Sequence, residues 1–217
     1  MSKSIIILTL IYLSIKYFNK YRHFGFKITR KITKKGDFRY TKVQIKIMPG
    51  NIPFKSSLPS LISVLRGKPQ AYAYIEGDPS IHPDLSGTVR FYQTKSGVIL
   101  YAEVMGLPAP DNACADPIFG FHIHEGTSCE GSEDDPFSAS MSHYNPDNCE
   151  HPYHAGDLPP LFGNNGFALS LFLTNRFTVN EITGKTIIIH SHPDDFTTQP
   201  SGNSGTKIAC GVVKKFF

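Results

Sequence analysis

Residues 87–104 read GTVRFYQTKSGVILYAEV. Apolar and polar residues alternate on both sides of the short polar segment 94–97, which ends in a glycine. Because successive side chains of a β-strand point to opposite faces, this alternation predicts two half-buried strands, Gly87–Tyr92 and Val98–Val104, joined by a hairpin turn. The stretch therefore predicts an antiparallel β-sheet.

The same pattern recurs before and after this hairpin. Ala71–Ile75 predicts a strand that ends at the turn residues 77–79. Five further runs predict strands after the hairpin: residues 120–125, 167–173, 176–179, 185–190 and 208–213. Eight short strands with almost no helical periodicity predict an all-β fold, an eight-stranded antiparallel Greek-key sandwich or flattened barrel.

Length and charge divide the chain into three regions. Its 217 residues exceed one ordinary domain of about 100–150 residues, and we predict a leader (1–47), a linker (48–69) and a domain (70–217). The leader contains 12 basic residues and one acidic residue, which gives +11, whereas residues 48–217 contain 10 basic and 17 acidic residues, which gives −7. Because the main body lacks a basic surface of the kind that binds phosphates, we expect no nucleic-acid partner.

The leader admits three interpretations. Its segment Ser4–Ile15 is mostly apolar but shorter than the roughly 20 residues that span a bilayer, and no small-residue cleavage site follows it. The leader is a degenerate signal or membrane anchor, a basic arm that binds a surface, or an upstream extension that precedes a true start at Met48. Membrane contact is expected only if the leader is retained.

Two long stretches, residues 126–166 and 191–207, interrupt the strand pattern. Ordering a loop costs about 1–2 kcal/mol per residue, so a loop of some forty residues needs a functional reason or internal cross-links. These stretches and the strand ends beside them contain seven of the nine histidines. Since neutral imidazole is the commonest metal ligand in proteins, this concentration predicts a metal site.

The spacing of these histidines suits shared coordination of metal. His122 and His124 lie two residues apart in a predicted strand, so both are expected on the same face. Four more histidines and a carboxylate follow in the first loop and at the end of the strand before the second: His143, His151, His154, Asp157 and His190. Imidazole suits both copper and zinc, and the lack of a Cys-x-x-Cys pair argues against a zinc finger.

Several segments resemble the copper/zinc superoxide dismutase family, and they occur in the family's order. Residues 120–125 (GFHIHE) and 202–212 (GNSGTKIACGV) resemble its two signatures, and residues 143–146 (HYNP) and 154–158 (HAGDL) resemble the loop between them. The resemblance spans residues 70–213, about two thirds of the chain. It implies a Greek-key sandwich and an enzyme that converts superoxide to dioxygen and hydrogen peroxide.

The resemblance also implies a role for each metal ligand. Copper is expected on His122, His124, His143 and His190, and zinc on His143, His151, His154 and Asp157. His143 is then a bridging ligand that holds one ion on each ring nitrogen. Asp194 is expected to hydrogen-bond a copper histidine and a zinc histidine at the same time, which fixes the orientation of both rings.

Lys207 departs from the family pattern. The family usually has arginine at this position, where it attracts and positions superoxide. Lysine keeps the positive charge but lacks the planar fork of donors, so we expect reduced but clear activity, with Lys207 and His143 as the catalytic residues.

The cysteines extend the resemblance. Cys129 and Cys210 match the disulfide of the family, whereas Cys114 and Cys149 lie outside its pattern and are expected either to form a second bridge or to stay free. A disulfide favours an oxidising compartment, and hence a secreted or membrane-anchored protein, whereas a start at Met48 favours the cytoplasm.

Two questions of function and assembly stay open at the level of sequence. A homodimer is compatible with the resemblance, because family members differ in whether and how they dimerise. The rival to the enzyme is a non-enzymatic protein of the same fold that stores or delivers copper. A zinc-only binding module would leave His122, His124 and His190 without a shared purpose.

Overall fold

The computed structural model describes residues 25–35, 38–48, 61–109, 112 and 117–217. The chain divides into two compact units, Met1–Lys55 and Ser56–Phe217. In the first unit, β1 (Gly25–Lys35) pairs antiparallel with β2 (Phe38–Met48) along their whole length, and sequence patterning had predicted neither strand.

The apolar segment 4–15 lies outside the described residues, so the three interpretations of the leader stay predictions. Within the described ranges, no helix has the length and apolar character needed to cross a membrane.

In its described residues, the second unit consists of strands and three short helical turns. Its helices are α1 (Leu61–Arg66), a 3-10 turn (Ser138–Ser140) and α2 (Val179–Ile182). Its strands are β3 (Ala71–Gly77), β4 (Ser86–Thr94), β5 (Gly97–Met105), β6 (Ile118–Phe119), β7 (Phe121–His124), β8 (Leu161–Phe162), β9 (Ala168–Thr174), β10 (Thr186–His190), β11 (Lys207–Val212) and β12 (Lys214–Lys215).

One antiparallel sheet forms the body of this unit. Seven of its strands follow the order β7-β10-β11-β3-β4-β5-β9, and β12 adds an eighth by pairing with β3. The chain leaves β5 near one edge and re-enters the sheet at β7 on the opposite edge, which is a Greek-key connection. The short strands β6 and β8 pair separately. The predicted all-β antiparallel fold is confirmed.

The alternation that predicted the strands follows the burial of their side chains. In β3, Ala71, Ala73 and Ile75 are buried in the core, whereas Tyr74 between them is exposed. β4 and β5 bring Phe91 opposite Leu100 in the same core. The hydrophobic core thus lies on one face of the curled sheet.

At the opposite edge, β7 is buried on both faces. Phe121 and Ile123 pack into the core, while His122 and His124 lie on the other face and are also buried, at 0% and 2% exposure. A strand with a solvated face would show the alternating burial of β3. The long loops therefore cover this face of β7.

The structure corrects one strand prediction. Residues 176–179 do not form a strand, because Thr178 and Glu181 form a capping box that starts α2: the Thr178 hydroxyl accepts from the backbone N–H of Glu181, and the Glu181 carboxylate accepts from that of Thr178. The long loop 126–166 instead contains the two-residue strand β8, which is too short to show alternation in the sequence.

Candidate metal centre

The site begins where the loop of residues 142–157, here called the histidine loop, runs beside β7. The N–H of Tyr144 donates to the carbonyl of Ile123 at 2.8 Å, and the N–H of Ile123 donates to the carbonyl of Gly156 at 2.9 Å. A Cβ atom at Gly156 would collide with the carbonyl oxygen of Ile123, so only glycine lets the loop come this close. The pairing brings His143 and Asp157 next to the histidines of β7.

Four histidines converge on this face: His122, His124, His143 and His190. Each offers one ring nitrogen, and these four nitrogens lie within 4.8 Å of one another. His124 Nε2 is 3.2 Å from His190 Nε2, while His124 Nδ1 lies 2.8 Å from the carbonyl oxygen of Met141, which can accept its N–H. The nitrogens of this group therefore face one common point, as ligands of a single ion do.

His190 reaches the group through an irregularity in the sheet. The register between β10 and β11 shifts between Ile189 and His190, so that His190 pairs with Lys207. Bulges of this kind re-aim side chains next to functional sites. Here the shift places a histidine and a lysine side by side at the rim of the site.

A second group shares His143 with the first: His143, His151, His154 and Asp157 also offer ligand atoms within 4.8 Å of one another. Asp157 Oδ1 lies 2.8 Å from His143 Nδ1 and 3.3 Å from His154 Nδ1, and Asp157 Oδ2 lies 3.2 Å from His151 Nδ1. His143 thus turns Nδ1 to this group and leaves Nε2 for the other.

Asp194 joins the two groups. Its Oδ2 lies 2.8 Å from His122 Nε2 and its Oδ1 lies 2.9 Å from His151 Nε2, and both links are buried. Gly202 packs against this carboxylate with φ +65°, and a Cβ atom there would collide with Asp194 and with the ring of His151. One carboxylate therefore fixes one ring of each group.

Burial keeps three of these histidines neutral. It lowers the pKa of His122 from 6.5 to about 4, and together with neighbouring histidines it holds the pKa values of His124 and His190 well below 6.5. Burial raises the pKa of Asp194, but hydrogen bonds from His122, Phe196 and His151 outweigh it and bring the pKa to about 2. Burial also raises the pKa of Asp157, but the hydrogen bond from His143 and the nearby histidines outweigh it, so the pKa is lowered overall. Neutral imidazoles beside ionised carboxylates are the form that binds metals.

The donor set fits a pair of metal ions. Four ring nitrogens are buried and have no hydrogen-bond partner among the residues that the structure describes: His122 Nδ1, His143 Nε2, His151 Nδ1 and His154 Nδ1. Leaving a polar atom buried and unpaired costs about 1–3 kcal/mol. Each of these nitrogens belongs to one of the two groups, so two ions would satisfy them all. Imidazole nitrogens and one carboxylate are suitable ligands for copper and zinc.

Lys207 lies at the mouth of the site. Its Nζ donates to the carbonyl oxygen of Phe137 at 3.1 Å and lies 3.7 Å from Asp135 Oδ2. The lysine borders an open cavity of about 740 Å³ that is also lined by His124, His143 and His190. A small anion that enters this cavity would therefore meet a positive charge beside the first group of histidines.

The disulfide between Cys129 and Cys210 forms as the resemblance implies and ties the long loop to β11. Its two cysteines pack with Phe137 and Ile188, so the disulfide also anchors the loop segment whose carbonyl accepts from Lys207. Cys149 is exposed and has no disulfide partner among the described residues. Cys114 lies outside those residues, so the second bridge stays a prediction.

Sequence reasoning missed two polar residues that hold the histidine loop from outside. Gln199 bonds the backbone of His151, and Arg176 bonds three carbonyl groups between residues 152 and 157. No metal-ligand spacing marks either residue, because both act on backbone atoms that are distant in sequence.

Comparison with known proteins agrees with this geometry. The family model for copper/zinc superoxide dismutase (SODC) matches residues 85–213, which is more than half of the chain. The chain belongs to the copper/zinc superoxide dismutase family.

This chain matches most of the length of each of the following relatives. A copper/zinc superoxide dismutase of Photobacterium leiognathi is 34% identical over 142 residues, which cover 59% of this chain and 78% of that protein. The copper/zinc superoxide dismutase structure from Brucella abortus is 26% identical with a TM-score of 0.55, and the match covers 65% of this chain and 98% of that one. A superoxide-dismutase-like protein of Bacillus subtilis is 27% identical with a TM-score of 0.52, over 64% of this chain and 95% of that one.

Proposed function

We propose that this chain is a superoxide dismutase that converts two superoxide anions and two protons into dioxygen and hydrogen peroxide. The observation that carries the proposal is the sharing of His143 between two complete groups of buried ligand atoms. We assign copper to His122, His124, His143 and His190, and zinc to His143, His151, His154 and Asp157. Membership of the family supports this assignment.

The metals and the chain's own residues supply different parts of the reaction. When bound, copper supplies one-electron redox chemistry, accepting an electron from one superoxide and returning it to the next, whereas zinc is redox-silent. His143 would hold a proton at Nε2 in one half of the cycle and give it up in the other. Its Nδ1, which lies 2.8 Å from Asp157 Oδ1, would be a zinc ligand together with that carboxylate. His124 and His190, kept neutral by burial, leave their lone pairs for coordination.

Lys207 attracts the substrate. Superoxide is a monoanion, and residues 48–217 carry a net charge of −7, so steering must come from local positive charge rather than from the body as a whole. The bond from Lys207 Nζ to the carbonyl of Phe137 holds the ammonium group in place at the cavity.

Loading the full chain with copper and zinc and following superoxide decay by pulse radiolysis tests the proposal. Catalysed decay at full copper occupancy is the expected result. Absence of catalysis at full occupancy would overturn the enzyme assignment. It would favour the rival, a protein that stores or delivers metal; the chain is also similar to a superoxide-dismutase-like protein.

The bridging role needs its own test. His143→Ala removes a ligand from both groups, so we expect the affinities for copper and zinc to fall together. His154→Ala is the matched control, because His154 belongs to one group only, and here zinc affinity alone should fall. Loss of a single metal in His143→Ala would show that the bridge is wrongly assigned.

A further inference from the structure

Arg176 spans the histidine loop from outside. It follows β9 directly, and its Nη1 lies 3.1 Å from the carbonyl oxygen of Pro152 and 3.2 Å from those of His154 and Asp157. Its own backbone N–H donates to the hydroxyl of Thr174, which fixes the turn from which the side chain extends. One guanidinium nitrogen therefore contacts three carbonyls within six residues of the loop.

Gln199 holds the other end of the same segment. Its Oε1 accepts from the N–H of His151 at 3.0 Å, and its Nε2 donates to the carbonyl of His151 at 2.7 Å. A single amide thus satisfies both backbone groups of one residue. Gln199 and Asp194 lie in the same loop, so that loop contacts both the backbone of His151, through Gln199, and its ring, through Asp194.

We infer that Arg176 and Gln199 are positioning residues that hold residues 151–157 in the geometry of the zinc half-site before zinc arrives. The inference rests on the proposed assignment of zinc to this group. Three of its four ligands, His151, His154 and Asp157, lie within the seven residues between the two contacts. The fourth, His143, is held separately by the pairing of the loop with β7.

The physical reason is the cost of ordering a loop. Fixing each backbone residue costs about 1–2 kcal/mol, and a loop ordered only by the metal would subtract that cost from the free energy of binding. Side chains that order the loop in advance leave more of the binding free energy as affinity. All three contacts use the single nitrogen Nη1, so the advantage of arginine lies in the rigid planar group that fixes where this nitrogen lies, whereas lysine carries its nitrogen on a flexible stem.

Zinc affinity of the metal-free full chain, measured by competition with a chromophoric chelator, tests the role of Arg176. We expect Arg176→Gln to bind zinc about 10-fold more weakly than the wild type, with Arg176→Lys between them. Lys95→Gln is the matched control, because it removes the same charge from the exposed turn between β4 and β5. Wild-type affinity in Arg176→Gln, or an equal loss in Lys95→Gln, would overturn the inference.

Gln199 gives a second and independent arm. Gln199→Met keeps the size of the side chain but removes both hydrogen bonds to His151, and it should also lower zinc affinity about 10-fold. Hydrogen exchange at the amides of residues 151 and 153–157 should speed up in the metal-free forms of both Arg176→Gln and Gln199→Met. Unchanged exchange with unchanged zinc affinity would refute the positioning role.

These measurements do not depend on catalysis. Copper uptake should stay close to that of the wild type, since neither residue hydrogen-bonds His122, His124 or His190 in the structure. If the wild type lacks dismutase activity, the proposed function fails while the zinc affinities still decide the positioning role. If the wild type is active and the variants bind zinc normally, only the positioning role fails.

Discussion

The carboxylate of Asp194 is the most direct place to perturb both groups of ligands at once. It accepts from His122 Nε2 at 2.8 Å and from His151 Nε2 at 2.9 Å, and its side chain is fully buried. When Nδ1 of each ring is left free for a metal, both Nε2 atoms carry hydrogens and point at Asp194. An ionised carboxylate can accept both, and its pKa of about 2 keeps it ionised at neutral pH.

Asp194→Asn replaces one of these acceptors by an NH2 group, so one of the two ring N–H groups then faces a donor. That ring must turn or change its tautomer, and either change moves Nδ1 away from metal coordination. Loss of such a hydrogen-bonding partner typically weakens metal binding about 10- to 100-fold, which corresponds to about 1.4–2.8 kcal/mol. We expect losses in this range for zinc and for copper, because the carboxylate contacts one ring of each group.

Metal-free Asp194→Asn and wild-type chains should be titrated with zinc and with copper against competing chelators. Asp195→Asn is the matched control: it removes a neighbouring carboxylate in the same loop whose bonds go only to Thr197 and Thr198. Both affinities should fall in Asp194→Asn and neither in Asp195→Asn. Equal behaviour of the two variants would refute the argument that Asp194 orients the rings.

Because burial holds the pKa of His122 at about 4, the metal-free fold should lose about 3 kcal/mol of stability from this side chain as the pH falls from 6.5 towards 4. A free energy of unfolding in urea that is the same at pH 7 and pH 4.5 would contradict this prediction. Lys207→Met should lower kcat/KM for superoxide about 10-fold and flatten its salt dependence, whereas Lys207→Arg should change neither. If stopped-flow rates of Lys207→Met depend on salt as steeply as those of the wild type, steering by this charge is excluded. Replacing Cys129 and Cys210 by serine should lower the free energy of unfolding by about 4–5 kcal/mol, given their separation of 81 residues; a loss below about 1 kcal/mol in urea would show that the loop is held by other contacts.

The strands and the ligands were predictable from the sequence for different reasons. Alternation predicts a strand whose faces differ in environment, as in β3, where buried residues alternate with more exposed ones. β7 and β10 are buried on both faces. In β7 the alternation is therefore one of residue chemistry rather than of exposure: Phe121 and Ile123 face the core while His122 and His124 face the site. The assignment of ligands to two ions came from resemblance to a family. The spacing of the histidines alone predicted a metal site but did not divide the ligands between copper and zinc.

Contacts between distant residues were beyond the reach of the sequence. Arg176 lies 19–24 residues from the carbonyls that it bonds, and Gln199 lies 48 residues from His151. Backbone groups look alike in every sequence, so nothing local indicates which side chain will bond them. Residues 176–179 were misassigned for a related reason, because Arg-Phe-Thr-Val suits a strand until Glu181 completes the capping box with Thr178.

Stability and metal binding are linked in this site through the unpaired nitrogens. Four buried ring nitrogens lack hydrogen-bond partners in the described part of the chain, and two of them, His151 Nδ1 and His154 Nδ1, still lie 3.2 and 3.3 Å from Asp157 oxygens. For the other two, His122 Nδ1 and His143 Nε2, the cost is about 1–3 kcal/mol each, a large share of the stability of an ordinary domain. The metal-free fold can carry that cost because the disulfide, the pairing of the histidine loop with β7, and the contacts of Arg176 and Gln199 hold the site from outside. Metal binding then removes the cost without having to order the loops, so its free energy goes into affinity and into the stability of the loaded form.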